Sequence, residues 1–161
     1  GIDPEATFGY RILEPLLPLR KDGVRIVGRA LGLPDALFNR KPFPGPALAA
    51  RVIGEATPER IAVVRRATAI LERRLEASPA FQYMAVLHAD RVPGIREGRR
   101  DFGLQIEVRC WDSVDARTAS PTRLSWETLE AISGDIIREI PGVVSVTYHI
   151  APKPPSTIEA V

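Results

Sequence analysis

Between positions 102 and 110, apolar and polar residues alternate without a break. Phe102, Leu104, Ile106, Val108 and Cys110 fall on one side, and Gly103, Gln105, Glu107 and Arg109 on the other. In an extended chain, side chains two positions apart share a face. The stretch therefore predicts a strand with one face in a core and one polar face. Residues 81–88 alternate as well and predict a second strand. An arginine-rich segment around Pro93-Gly94 joins the two, which makes a long hairpin.

The flanking segments supply helices. Val24, Val27 and Leu31 line one face of residues 20–31, and Gly32 and Pro34 end that run. A proline-broken apolar stretch, 10–19, precedes it, and a short helical piece is expected at 35–38. Thr57-Pro58-Glu59 combines a hydroxyl N-cap, a proline in the first turn and a carboxylate at the positive helix end. That helix should run to about Ala77 and bury Ile61, Val64, Thr68, Leu71 and Leu75, until Ser78-Pro79 stops it. Leu129, Ile132, Ile136 and Ile140 mark a further helix within 122–140. Residues 51–55 read as a short strand, and 144–150, alternating again, as the last strand. The order is helical arm, strand, helix, hairpin, helix, strand, tail. It predicts an α+β fold: a two-layer domain, residues 41–161, with a mainly antiparallel sheet packed on helices, preceded by a helical arm, residues 1–40.

Composition narrows the function. The 161 residues are 45% apolar and 26% charged, ordinary values for a soluble globular chain. No apolar run approaches the ~20 residues of a membrane helix, and the opening residues do not form a signal peptide. A first residue of Gly rather than Met points to a trimmed start. The single Cys110 excludes an internal disulfide and a cysteine zinc site, and fits a reducing, cytoplasmic setting. With 22 basic and 20 acidic residues, the net charge is only +2. The dense basic cluster is Arg91, Arg96, Arg99 and Arg100. It reads as a solvated hairpin loop, or as a contact for a phosphate or a partner, because guanidinium groups bind oxyanions through paired hydrogen bonds. A basic stripe with interleaved aromatics is missing, so no nucleic acid is expected as a partner, and no membrane either.

No motif pairs a nucleophile with a base. Gly-x-Ser-x-Gly, His-Glu-x-x-His and Cys-x-x-Cys are all absent. His88 and His149 lie on predicted strands as surface or edge histidines, without a third metal ligand. No catalytic and no metal residue is assigned. Two proline-rich segments remain. In the loop 41–46, Gly45 between Pro44 and Pro46 lets backbone approach a ligand closely, or the loop is a rigid linker. In the tail, Lys153-Pro154-Pro155-Ser156-Thr157-Ile158-Glu159-Ala160-Val161, the prolines favour an extended form. Such a strap holds a cation, Lys153, and an acceptor, Glu159, at a set distance, which suits a small ligand bearing an anion and N–H donors. A proline-rich chain end has the same composition.

Three stretches in order carry a specific likeness: 40–55 around Pro42-Phe43-Pro44-Gly45-Pro46, 112–119 with Ser113-Val114-Asp115 and Thr118-Ala119, and the tail. Together they resemble the carboxy-terminal, dimerising part of the ATP-pyrophosphatase subunit of GMP synthase, whose motifs read roughly PFPGPGLAxRVxGExT, SVDxxTA and KPPxTIEWE. The chain differs from that pattern at Ala47, at Ala116-Arg117, in the hairpin loop and at Ala160-Val161. The resemblance implies a homodimer that binds xanthosine monophosphate (XMP) or GMP, with the arm as a remnant of the ATP-pyrophosphatase domain. It implies that Lys153, Ile158 and Glu159 of the tail, Gly45 and Pro46 of the loop, and Gln82 touch XMP. In the complete enzyme, ATP with Mg would activate the purine C2 oxygen and ammonia from a glutaminase portion would displace AMP. The glycine-serine phosphate loop and the glutaminase cysteine motif are both missing here, so no cofactor is expected in this chain and it should not carry out those steps alone. Two other readings stay open: the same domain of a paralogous pyrophosphatase-type ligase or sulfur-transfer enzyme, and a stand-alone dimerising or nucleotide-sensing module.

Overall fold

The computed structural model describes residues 3–38, 48–96, 98–114 and 116–160. The chain divides into two compact units, Gly1–Arg40 and Lys41–Val161. In the first, α1 (Pro4–Phe8) is capped by Asp3, whose carboxylate accepts from the Glu5 and Ala6 amides. The helix predicted at 20–31 is α2 (Lys21–Ala30), followed by α3 (Asp35–Phe38). Gly28 packs against Phe38, where a Cβ would stand 2.9 Å from the Phe38 side chain. Gly28 is the one buried position among this unit's described residues, and Leu13, Leu17, Ile26 and Leu31 are exposed. A unit this small cannot enclose a core of its own.

The second unit holds α4 (Pro58–Arg74), β1 (Gln82–Arg96), β2 (Arg99–Asp112), β3 (Ser120–Pro121), α5 (Trp126–Glu139) and β4 (Val143–Tyr148). Thr57 caps α4 through the Arg60 amide, and Ser125 caps α5 through the Thr128 amide. The α4 stripe is buried as its spacing predicts: Val64, Thr68, Leu71 and Leu75, with Ile61 partly covered. Helix α4 ends at Arg74, earlier than the expected Ala77, and α5 lies within the expected 122–140.

Pairings β1/β2 and β2/β3 are antiparallel, whereas β4 lies parallel to β2. Two of the three pairings match the expectation of a mainly antiparallel sheet, and the parallel β2/β4 pairing makes the sheet mixed. From β2 the chain passes through β3 and α5 before β4, and a connection of that length returns β4 parallel to β2. The arginine-rich segment is not a loop. Arg91 lies in β1, Arg99 and Arg100 lie in β2, and Pro93 pairs with Phe102 inside the ladder. The predicted strand at 51–55 is also absent. A 3-10 turn, Ala49–Arg51, occupies its start, and Val52 makes a single parallel bridge to Leu87.

Helices α4 and α5 cover one sheet face and build the main core with Ala85, Leu87, Ile106 and Val108. Burying each large aliphatic side chain contributes about 1.5–3 kcal/mol. Across the rim of that layer, Arg73 and Arg74 of α4 and Arg138 of α5 all bond to the buried Asp135 carboxylate. The opposite face was expected to be polar. Instead a second cluster forms there from Met84, Val86, Trp111, Ala119 and Ile158, so the C-terminal tail covers it. A strand buried on both faces has its alternating polar residues enclosed, and they must find partners there.

Candidate functional site

The tail runs back over the sheet. Its prolines do not hold it extended: Pro154 and Pro155 form a turn, both their peptide bonds are cis, and the Ser156 amide donates to the Pro152 carbonyl at 3.0 Å. Before the turn, Lys153 and Ala119 exchange backbone hydrogen bonds of 2.8 and 3.0 Å. The Lys153 ammonium donates to the Ala116 carbonyl at 2.8 Å. After the turn, Ile158 is only 6% exposed and packs into the second cluster.

At the far end of the tail, Gln82 Nε2 donates to Glu159 Oε1 at 3.1 Å. These two predicted site residues are 77 positions apart in the chain, and the fold brings them together. The other carboxylate oxygen, Glu159 Oε2, is buried and accepts no hydrogen bond from the described residues. Arg51 is fully buried in the same neighbourhood. Burial pulls its guanidinium below the ordinary value, opposed by the negative charges of Glu159 and then Glu72. Arg51 is placed by the 3-10 turn. The segment after that turn is held by the Ile53 amide on Leu87 O, and by Arg60, which donates to the carbonyls of Ile53 and His88 at 2.8 and 3.1 Å. Gly45 and Pro46 lie outside the described residues.

A second set of polar groups sits beneath the tail, and sequence reasoning did not find it. Arg109 donates through Nη1 to three successive tail carbonyls, Thr157, Ile158 and Glu159, at 3.2, 3.4 and 3.1 Å. Its Nε donates to Glu107 Oε1 at 2.6 Å. Glu107 also meets His88 Nε2 at 2.7 Å and His149 Nδ1 at 2.9 Å. The histidines expected at the surface or sheet edge therefore flank a buried carboxylate. Burial pushes the Glu107 carboxyl up, but the hydrogen bonds from Arg109 and His88, with the charges of Arg109 and His149, outweigh it and hold it below the usual range. His149 tilts against Trp111 at 5.3 Å between centroids, and its Nε2 lies 2.9 Å from Ser156 Oγ. Nδ1, turned to an acceptor-only carboxylate, carries a proton, and Nε2 pairs with the Ser156 hydroxyl. The available signal was the ion pair Glu107/Arg109 at i, i+2 on one strand face. A solvated face uses the same residues.

At Glu159 a buried acceptor, a buried cation and an amide converge, an arrangement that can bind and orient a ligand. Among the described residues no group of three or more His, Cys, Asp or Glu could hold a metal ion. No helix among them is long and apolar enough to cross a membrane.

Residues 70–160 match the model of the GMP synthase C-terminal domain family. One subunit of the glutamine-hydrolyzing GMP synthase of Methanocella arvoryzae is 49% identical over 157 residues, covering 97% of this chain and 51% of the relative. The counterpart from Pyrococcus furiosus is 46% identical, over 94% of this chain and 49% of the relative. The glutamine-hydrolyzing GMP synthase of Pyrobaculum aerophilum is 45% identical, over 94% of this chain and 31% of the relative. The chain thus spans about half the length, or less, of the curated relatives it matches.

Proposed function

The chain belongs to the GMP synthase C-terminal domain family, and from that premise we propose that it is the nucleotide-holding, dimerising part of a GMP synthase that aminates XMP to GMP when complete. The observation that best supports this reading is the buried Glu159 Oε2, which has no donor among the described residues, beside Gln82 and Arg51. A buried carboxylate oxygen without a donor is costly, and a purine N–H or ribose hydroxyl would supply that donor. Lys153 spends one N–H on Ala116 O, and an ammonium has three, which leaves donors for a phosphate. Ile158, mostly covered by the sheet, would meet a base only at its outer edge, and its larger share is to seat Glu159. Gly45 and Pro46 would close the pocket from the loop. Binding in this way contributes orientation of the purine, not chemistry on it.

ATP and Mg would be held by the pyrophosphatase portion and ammonia delivered by the glutaminase portion, in a cytoplasmic setting. The first unit would belong to that pyrophosphatase portion. Its exposed Leu13, Leu17, Ile26 and Leu31 support this, as apolar side chains that require a covering layer. Dimerisation would use an exposed apolar surface of the second unit. A cleft of about 650 Å³ between α5 and β4, lined by Trp126, Leu129, Ile137, Val146 and Tyr148, fits that role. Trp126 is 70% exposed there. Light scattering across micromolar concentrations is expected to give twice the monomer mass, and a monomer throughout would remove this part of the proposal.

Calorimetric titration of the 161-residue chain with XMP tests the central claim. Saturable binding, tighter for XMP than for AMP, is expected, and no heat of binding at millimolar XMP would overturn it. Lys153→Ala should weaken XMP several-fold, a loss of about 1 kcal/mol. Its melting temperature should move little, because one hydrogen bond at a half-exposed site contributes about 1 kcal/mol or less.

A further inference from the structure

The tail carries the proposed ligand groups, yet it is neither a strand nor a helix, so something must hold its backbone in register. We infer that Arg109 is the positioning residue of the tail, a guanidinium clamp that sets Thr157, Ile158 and Glu159 so that the Glu159 carboxylate meets Gln82. This rests on the proposed nucleotide site. Three successive carbonyls converge on one Nη1. Successive carbonyls of an extended segment point in alternating directions, so their convergence requires a tight local path. That path is reinforced by Thr157 Oγ1, which donates to the Glu159 carbonyl at 2.7 Å.

The clamp is itself aimed. Arg109 is 8% exposed and its Nε is engaged by Glu107, which leaves the far edge of the guanidinium directed at the tail. Glu107 cannot turn away, because His88 and His149 bond to its two oxygens. His149 reaches the tail directly as well, through Ser156 Oγ. The planar fork of arginine makes this possible: five N–H donors in fixed directions serve the carboxylate and the tail at once, which a lysine ammonium cannot reproduce. Arg109 touches no ligand in this scheme. It acts by keeping the binding-competent tail populated.

Arg109→Gln in the 161-residue chain separates this role from a general one. Amide hydrogen exchange of residues 156–160, without ligand, should accelerate on the order of tenfold beyond any change in α4, as the docked fraction falls. If only a tenth of the tails remain docked, the dissociation constant for XMP rises about tenfold. In a background with residues 157–161 deleted, the same substitution should have no further effect on XMP. Unchanged tail exchange in Arg109→Gln, or an equal effect on XMP with and without the tail, would overturn the assignment. Should Arg109→Gln not fold, Arg109→Lys keeps the charge beside Glu107 but not the fork, and the same comparisons apply. If the parent chain binds no XMP, the nucleotide reading falls, while the exchange measurement still decides the clamp.

Discussion

Glu159→Ala is expected to raise the dissociation constant for XMP about a hundredfold, roughly 2.7 kcal/mol, because a hydrogen bond to a charged group in a buried site contributes on the order of 1.5–3 kcal/mol. The side chain sits at the convergence of the proposed site. One oxygen is held by Gln82, the other is buried with no donor among the described residues, and Arg51 lies within reach of its charge. Glu159→Gln separates two contributions. It keeps the volume and a hydrogen-bonding oxygen but removes the charge that faces Arg51. An effect close to that of alanine would assign the binding to the carboxylate charge, whereas a loss of only a few-fold would assign it to shape. Titrations with XMP and GMP give both numbers. An affinity for Glu159→Ala within about threefold of the parent would remove Glu159 from the site.

The second large effect is on stability. Glu107→Ala leaves the Arg109 guanidinium buried without its counter-charge, and each side chain of that pair is only 10% exposed. Breaking such a pair by removing one member costs about 3–5 kcal/mol, which lowers the melting temperature of a domain this size by on the order of 10 °C. Glu107→Gln, which keeps the shape, should cost less at neutral pH but change the pH profile. The folded carboxyl is held below its ordinary range by the bonds from Arg109 and His88, which outweigh burial. Such a group stabilises the fold fully above the unfolded glutamate range and loses that contribution as pH falls through the lowered folded value. Asp135 acts with the same sign, held far down by its hydrogen bonds to Arg74 and Arg138 against its burial. The parent should therefore lose stability between neutral pH and about pH 3, Glu107→Gln should lose less, and Glu107→Gln with Asp135→Asn less again. Urea midpoints at the two pH values measure this. Identical acid sensitivity in all three proteins would show that neither carboxylate is coupled to folding.

Local signals located most elements but misjudged how they meet. The period of two at 102–110 and the Thr57 cap are written in neighbouring residues, and a strand and a helix appear where those residues place them. The segment at 51–55 failed as a strand because pairing is a long-range property: Val52 finds a single bridge to Leu87, and the turn before it is spent placing Arg51. The arginine-rich segment failed as a loop for a related reason. Charge made it look solvated, yet both strands continue through it, since backbone pairing is indifferent to side chains that point into water.

The site divides along the same line. By itself the sequence determined which residue types are available, Lys153, Ile158, Glu159 and Gln82 in recognisable motifs, because these follow from identity and spacing. Only the tertiary structure decided that Gln82 meets Glu159 across 77 positions, that Arg51 is buried near them, and that the polar face of β2 is roofed by the tail. Alternation specifies two faces of a strand but not what covers each, and Glu107 and Arg109 read as solvent-facing until a distant segment encloses them. Enclosure turns an ordinary surface ion pair into a clamp with three carbonyls on it, because hydrogen bonds screened by water outside become strong and mutually dependent within.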